Sequence, residues 1–219
     1  MSDLSAKKLV VFDFDGTLVD SMPGIVATAR EVMHAHGWSD SELGDMRRLV
    51  GPPFPKAFTE VYGLSEEDAL QVTREYRAIY ENLGRDGWPL IGGIGELLRD
   101  LKAAGKLLAT ASSKRQFLLE RGLETNGILG LFDCPMAKQA DFGDSKEAAL
   151  GRVLRKLGVE AADAVMVGDR RYDAAAADVC GVECVGVLYA GTAPRSELED
   201  AGCVFIADTV DDLRRILLG

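Results

Sequence analysis

Short, almost wholly apolar runs alternate along this chain with longer stretches of helical period, and that alternation restricts the fold more than any other feature. The runs are Leu9–Asp13, Leu107–Ala111, Asp133–Ala137, Ala164–Gly168, Glu183–Leu188 and Cys203–Ile206. Amphipathic stretches occupy Ile94–Ala104, Arg115–Thr125, Lys146–Leu157 and Arg171–Cys180 between them. A strand apolar on both sides must be covered on both sides, and parallel neighbours need a crossover between them. The pattern therefore predicts an α/β fold with a doubly wound parallel sheet. Apolar residues make up 47% of the 219, enough to bury such a core.

One segment breaks the rhythm. Between the first apolar run and Ile94 lie about eighty residues with no convincing strand, where a crossover usually needs one helix. Helical patterns at Gly24–His36 and Glu66–Leu83, with a Pro-rich corner GPPFPKAF at Gly51–Phe58, predict an inserted helical subdomain. It leaves after the first strand and returns near Trp88–Pro89.

A formal net charge of −10 argues against a nucleic-acid surface, which needs clustered lysine and arginine. A small phosphorylated ligand remains compatible, provided local cations overcome the acidic far field. No stretch reaches the roughly 20 apolar residues needed to span a bilayer, and no signal-peptide pattern precedes the first strand. The four cysteines, Cys134, Cys180, Cys184 and Cys203, form no Cys-x-x-Cys pair and read as reduced thiols of a cytoplasmic protein. The two histidines, His34 and His36, read as helix-surface residues, too few for a histidine zinc site or a Ser-His-Asp triad.

Ligands of open α/β sheets bind at the carboxyl ends of the strands. The residues there are Asp13 and Asp15, then Ser112 and Ser113, then Gly168, Asp169 and Asp173. Asp13 and Asp15 are two apart on extended chain and point to one side. Two carboxylates in different surroundings can divide labour. Asp13 can attack phosphorus and form an aspartyl-phosphate. Asp15 can protonate the leaving oxygen and then take a proton from water. Attack by an anion on an anion needs a neutralising cation. Mg²⁺ suits an oxygen-rich set of Asp13, Asp169 and Asp173. Read alone, the GDRRYD segment is a strand-to-helix turn with an N-capping aspartate. Ser112 and Ser113 offer hydroxyls and free backbone N–H groups for phosphoryl oxygens. A lysine should reach the same place, and both Lys146 and Lys138 are placed to do so.

Together, DFDGT, a hydroxyl after the second strand, a lysine at a helix start and GDxxxD resemble the haloacid dehalogenase superfamily of phosphatases, over the whole chain and in the family's order. The segments GDRRYD, GPPFPKAF and GVLYAGTAPRSELEDAGCVFIADTVDDL look similar to its phosphoglycolate-phosphatase-like branch. The resemblance implies a Rossmann-like α/β core at residues 1–18 and 86–219, and a four-helix type of cap at 19–85. It implies Asp13 as nucleophile and Asp15 as general acid/base, with the Asp15 carbonyl also on Mg²⁺. Gly16 and Thr17 complete the first motif. It favours Ser112 over Thr110 for the second motif and Lys146 for the third, with Asp169 and Asp173 as the acidic residues of the fourth.

The implied function is a Mg²⁺-dependent phosphatase of small phosphate monoesters, acting as a monomer or homodimer on a phosphorylated metabolite, with no nucleic-acid or membrane partner. β-Phosphoglucomutases share the cap and both aspartates, but they carry a cap arginine where this chain reads Pro53-Phe54-Pro55, with Lys56 the only cation nearby. Dehalogenases lack a counterpart of Asp15. A non-catalytic binding protein would be expected to have lost one of these groups, and none is missing. Specificity is expected from Gly51–Phe58, Met22 and Trp88.

Overall fold

The computed structural model describes residues 3–50, 52, 54–84, 87–139 and 144–219. Gly51 and Pro53 of the Pro-rich corner, and residue 85 at the expected end of the insert, lie outside the described residues. Contacts divide the chain into two compact units, Met1–Asp20 with Leu90–Gly219, and Ser21–Pro89. The unit boundaries fall slightly beyond 18 and 85 for a backbone reason. Val19 forms an antiparallel bridge with Leu90, and Ile91 N–H donates to the Leu18 carbonyl at 3.0 Å. These bonds keep both crossings of the chain inside the sheet-bearing unit.

Strand β1 (Leu9–Phe12) precedes the helical unit, which contains α1 (Met22–Ala35), α2 (Asp40–Leu43), α3 (Lys56–Tyr62) and α4 (Glu66–Tyr80). Ser65 caps α4 by accepting from the Asp68 N–H, with Glu66, Glu67 and Asp68 in the first turn where the helix dipole favours anions. Aromatic rings form the unit's centre. Phe54 lies 4.8 Å from Tyr76, Tyr76 stacks on Tyr80 at 5.0 Å, and Tyr80 meets Trp88 edge-on at 5.2 Å. Trp88 is fully buried in this cluster, so its ring serves as core. His34 and His36 sit on the surface, paired with Asp40 and Glu75.

The other unit continues with α5 (Ile94–Ala103), β2 (Leu107–Thr110), β3 (Ser112–Arg115), α6 (Gln116–Thr125), β4 (Ala137–Lys138), α7 (Lys146–Leu157) and β5 (Ala164–Gly168). It ends with α8 (Arg171–Val179), β6 (Glu183–Val187), α9 (Arg195–Asp200), β7 (Phe205–Ala207) and α10 (Val210–Leu218). Five strands form one sheet in the order β2-β1-β5-β6-β7, every pairing parallel. All four residues of β1 and all five of β5 are buried, the signature of strands covered on both faces. Ala149, Leu150 and Val153 of α7, with Ala174 and Ala177 of α8, pack on Leu9, Val11, Ala164 and Met166.

The apolar run Asp133–Ala137 is not a strand of this sheet. It touches β2 through a single bridge, Ala109 to Cys134. Pro135 has no N–H to donate, and the Thr110 side chain substitutes for the ladder, accepting from Met136 N–H at 2.8 Å and donating to its carbonyl at 2.9 Å. Of this stretch Ala137–Lys138 pairs with β3 in a separate two-stranded sheet, with a register shift between Ser112 and Arg115. The last run pairs as Phe205–Ala207, later than Cys203–Ile206. Among the described residues no helix is long and apolar enough to cross a membrane. All four cysteines are free thiols.

The start of α7 is fixed by more than its cap. Ser145 accepts from Ala148 N–H, and the Asp144 carboxylate accepts from the N–H groups of Gln139 and Ser145 and from both Arg152 amino groups at 2.9 Å. The Arg152 guanidinium holds the Asp144 carboxyl down to about 2. A depressed folded-state value stabilises the fold above the unfolded value of about 3.9, and the gain disappears as pH falls through about 2. Asp144→Asn is therefore expected to lower stability by roughly 1–2 kcal/mol at neutral pH, a discounted figure for a partly solvated pair. Denaturant melts should show this difference shrinking between about pH 4 and pH 2. A difference independent of pH would rule out the ion pair as its source.

Candidate active site

The strand order places the carboxyl ends of β2, β1 and β5 side by side, because β1 lies between the other two. Asp13 follows β1, Ser112 follows the end of β2, and Asp169 follows β5. The Asp13 N–H donates to the Val167 carbonyl at 2.9 Å and the Ala111 N–H to the Phe12 carbonyl at 2.9 Å, so the ladder holds these ends in register to the last residue.

Four side chains meet there. Lys146, the first residue of α7, places its ammonium 2.9 Å from Asp13 Oδ2 and 2.5 Å from Asp173 Oδ1. Carboxylate oxygens of Asp13, Asp169 and Asp173 lie within 4.8 Å of one another, and all three residues are buried. Asp173 does two tasks. Its Oδ2 accepts from the Arg170 N–H at 3.0 Å, closing the first turn of α8, while its Oδ1 faces Lys146. Asp173 is thus the third residue of α8 rather than its N-cap, which is Arg170, and it lies in the carboxylate cluster as well. Gly168 makes the approach possible, since a Cβ there would stand 2.1 Å from the Asp173 carboxyl carbon.

The turn after Asp13 is equally close-fitting. Gly16 has φ +76°, in the left-handed region, and a Cβ on it would come within 2.2 Å of Asp169 Oδ2. Its N–H donates to Val19 carbonyl at 2.9 Å. Thr17 is buried, donates from Oγ1 to Asp169 Oδ1 at 3.3 Å, and its carbonyl accepts from the Tyr189 hydroxyl at 2.9 Å. Burial pushes the Tyr189 hydroxyl pKa up, with Asp169 adding to the effect, so the hydroxyl stays a donor. Tyr189 lies in the segment beginning GVLYAG that carries the family resemblance, but no catalytic motif assigns it a role.

Three buried carboxylates facing one ammonium leave the cluster short of positive charge. Burial pushes Asp13 up to about 6, Asp173 and Asp15 adding to the effect and Lys146 opposing it. Burial likewise pushes Asp169 up to about 8, reinforced by Asp173 and Asp13. For Lys146, burial works against the charge, but Asp13 and Asp173 outweigh it and push its pKa up. Asp13 Oδ1 is buried and has no hydrogen-bond partner among the described residues. An unpartnered carboxylate oxygen beside two further carboxylates is the donor set a hard divalent cation takes.

The remaining sequence candidates fall in different surroundings. Ser112 is buried at the start of β3, where its Oγ accepts from Lys114 N–H at 3.3 Å, and Ser113 is exposed. Lys138 lies on β4 opposite Arg115. Lys56 belongs to the helical unit, where it begins α3, is two-thirds exposed and pairs with Glu60 at 3.3 Å. Asp15 does not face the Lys146 cluster with Asp13. Both its oxygens take the ammonium of Lys114, at 2.8 and 3.1 Å. One lysine was expected at the site and two are present, each holding one aspartate of the DFDGT pair. The signal for Lys114 was its place two residues after Ser112.

Lys146→Met is expected to leave Asp13 and Asp173 buried without their counter-charge, costing about 3–5 kcal/mol. At pH 7.5 with a chelator present, melting should fall by roughly 10 °C. An unchanged melting temperature would show that the triad does not support the fold.

The family model of the haloacid dehalogenase-like hydrolases matches residues 10–187. A protein of Mycobacterium tuberculosis named tyrosine-protein kinase PtkA is 36% identical over 213 residues, covering 96% of this chain and 72% of that protein. A phosphoglycolate phosphatase of Vibrio parahaemolyticus is 27% identical, covering 96% of each chain. Among solved structures, a protein of Clostridium acetobutylicum described as a predicted phosphatase superposes with a TM-score of 0.89 at 31% identity, over 98% of this chain and 99% of that one.

Proposed function

The chain belongs to the haloacid dehalogenase-like hydrolases, in their phosphoglycolate-phosphatase-like branch, and from this we propose that it is a Mg²⁺-dependent phosphatase of small phosphate monoesters working through an aspartyl-phosphate on Asp13. The observation that carries the reading is the state of Asp13. One of its oxygens is paired to Lys146 and the other is buried without a partner.

Those two oxygens suit two tasks. Oδ2 attacks phosphorus, and the P–O bond to the leaving group breaks as the new P–O bond to Asp13 forms. Asp15 gives its proton to the departing oxygen. Asp15 then takes a proton from a water molecule, which attacks the aspartyl-phosphate, releases inorganic phosphate and restores Asp13. Lys146 offsets charge on Asp13 and on the phosphoryl oxygens as they approach. The Ser112 hydroxyl and backbone N–H groups at the start of β3 donate to the same oxygens. Asp13 Oδ1, Asp169, the Asp15 carbonyl and, through the cluster, Asp173 would hold Mg²⁺. When bound, it supplies the positive charge that lets a carboxylate approach a phosphate. Gly16 and Thr17 shape this loop against Asp169. Lys56 and the helical unit, taken as a cap at about residues 19–85, are proposed to select the substrate. A small phosphorylated metabolite is the expected partner and the cytoplasm the expected location.

A second reading rests on the 36% identity to the protein named a tyrosine-protein kinase: the aspartyl-phosphate passes its phosphoryl group to a tyrosine hydroxyl instead of to water. One experiment separates the two. Phosphate release is measured from a panel including 2-phosphoglycolate and 5′-nucleotides, with Mg²⁺ and with EDTA, beside labelled ATP with a tyrosine peptide. Mg²⁺-dependent release of free phosphate, lost in EDTA, is expected. Label on the peptide instead would favour transfer to tyrosine. Asp13→Asn should abolish turnover in either case, a fall of at least about 10³-fold, with folding intact. Steady-state turnover by that variant would remove Asp13 as nucleophile.

A further inference from the structure

Lys114 was assigned no role by the motifs, yet its geometry is that of a built contact. Its side chain is only 6% exposed, more enclosed than the Asp15 carboxylate it meets, at 26%. The two residues are 99 apart in sequence, so the pair is made by the fold. Its ammonium also lies 5.3 Å from the centre of the Phe14 ring, within cation–π range. That ring is fully buried. It lies against Gly122 of α6, where a Cβ would come within 2.4 Å of the ring carbon Cζ. The absence of a side chain at Gly122 thus seats Phe14, Phe14 seats the ammonium, and the ammonium takes both oxygens of Asp15.

Immobilising a long flexible side chain and withdrawing its charge from water are both costly. A pair with a partly exposed carboxylate repays little of that in stability. The contact is better explained by what it fixes. A general acid acts only if its carboxyl reaches the leaving oxygen within hydrogen-bond distance, and small misplacements reduce rate steeply. Asp15 lies on the turn after β1 rather than on the strand, so backbone alone does not set its side chain.

We propose that Lys114 is a positioning residue that orients Asp15 for proton transfer to the leaving group. The inference rests on the reading of Asp15 as the general acid. It predicts a loss that depends on the leaving group. Charge on Lys114 used merely to bind phosphate would affect every substrate alike.

The test compares kcat/KM, which covers the steps up to departure of the leaving alcohol, for p-nitrophenyl phosphate and for an alkyl phosphate such as glycerol phosphate. Lys114→Met is expected to lose about ten- to hundred-fold with the alkyl ester and less than about threefold with the aryl ester, whose leaving group needs no proton. Lys114→Arg, which keeps the charge and can grip both oxygens, should recover most of the alkyl rate. In Asp15→Asn the same selective loss should appear, and adding Lys114→Met to it should cost little more, because the two act as one unit. Equal losses on both esters in Lys114→Met, or additive losses in the double variant, would overturn the positioning role while leaving Asp15 as the acid. Equal losses in Asp15→Asn would overturn the acid reading, and this inference with it. Circular dichroism and melting of each variant establish that folded protein is compared, and if Lys114→Met is unstable, Lys114→Gln is measured in its place.

Discussion

The contact on which the rest of this structure depends is the buried triad of Lys146 with Asp13 and Asp173. It joins the end of β1, the start of α7 and the first turn of α8, three elements far apart in the chain. Burying such charges is unfavourable unless they are paired and hydrogen-bonded, so the surrounding structure is organised to satisfy them. Asp144 and Ser145 set the first turn of α7. Asp173 is held by the Arg170 N–H, and Gly168 leaves room for its carboxyl. The parallel ladder brings Asp13 into range. Even so three buried carboxylates face one ammonium, and burial, with the neighbouring carboxylates adding to it, raises the pKa values of Asp13 and Asp169. On the proposed mechanism, this imbalance leaves an attraction in reserve for a cation and a phosphate.

Much of this was legible in residue order. β1 and β5 begin and end close to their apolar runs because a strand buried on both faces is written as a continuous apolar segment, and each ends at the polar residues that form the site. Lys146 could not be separated from Lys138 by spacing alone, since a lysine's reach is long and only the direction of its helix or strand decides where the ammonium lies. The run Asp133–Ala137 read as a strand because its composition is apolar. What defeats it is one missing N–H at Pro135 and a threonine side chain that bonds in place of backbone.

The contacts made by Lys114 and Tyr189 were not legible for a different reason. Each acts across the fold, Lys114 on Asp15 and Tyr189 on the carbonyl of Thr17, and each is an ordinary residue in its own neighbourhood. Local pattern reports secondary structure and helix caps; it reports a contact between distant positions only when a motif already records it. Trp88 shows the converse. It was expected to help set specificity because it lies where the insert returns, but its ring is enclosed by the aromatic centre of the helical unit.

The two lysines also resolve the physical oddity of two aspartates placed two residues apart. Side chains at such spacing would repel if both faced one space with nothing between them. Here Asp13 pairs with Lys146 and Asp15 pairs with Lys114 beside Phe14, so each carboxylate has its own ammonium. The surroundings differ in the way divided labour requires. Asp13 is enclosed among carboxylates with one oxygen unmet, whereas Asp15 is partly open to solvent and anchored through both oxygens. A group that must bond to phosphorus gains from enclosure and from a spare oxygen. A group that must exchange protons with an alcohol and then with water gains from solvent contact and a fixed direction. On the proposed mechanism, the two identical side chains take their different tasks from different surroundings, set in part by two lysines that come from different elements of the fold.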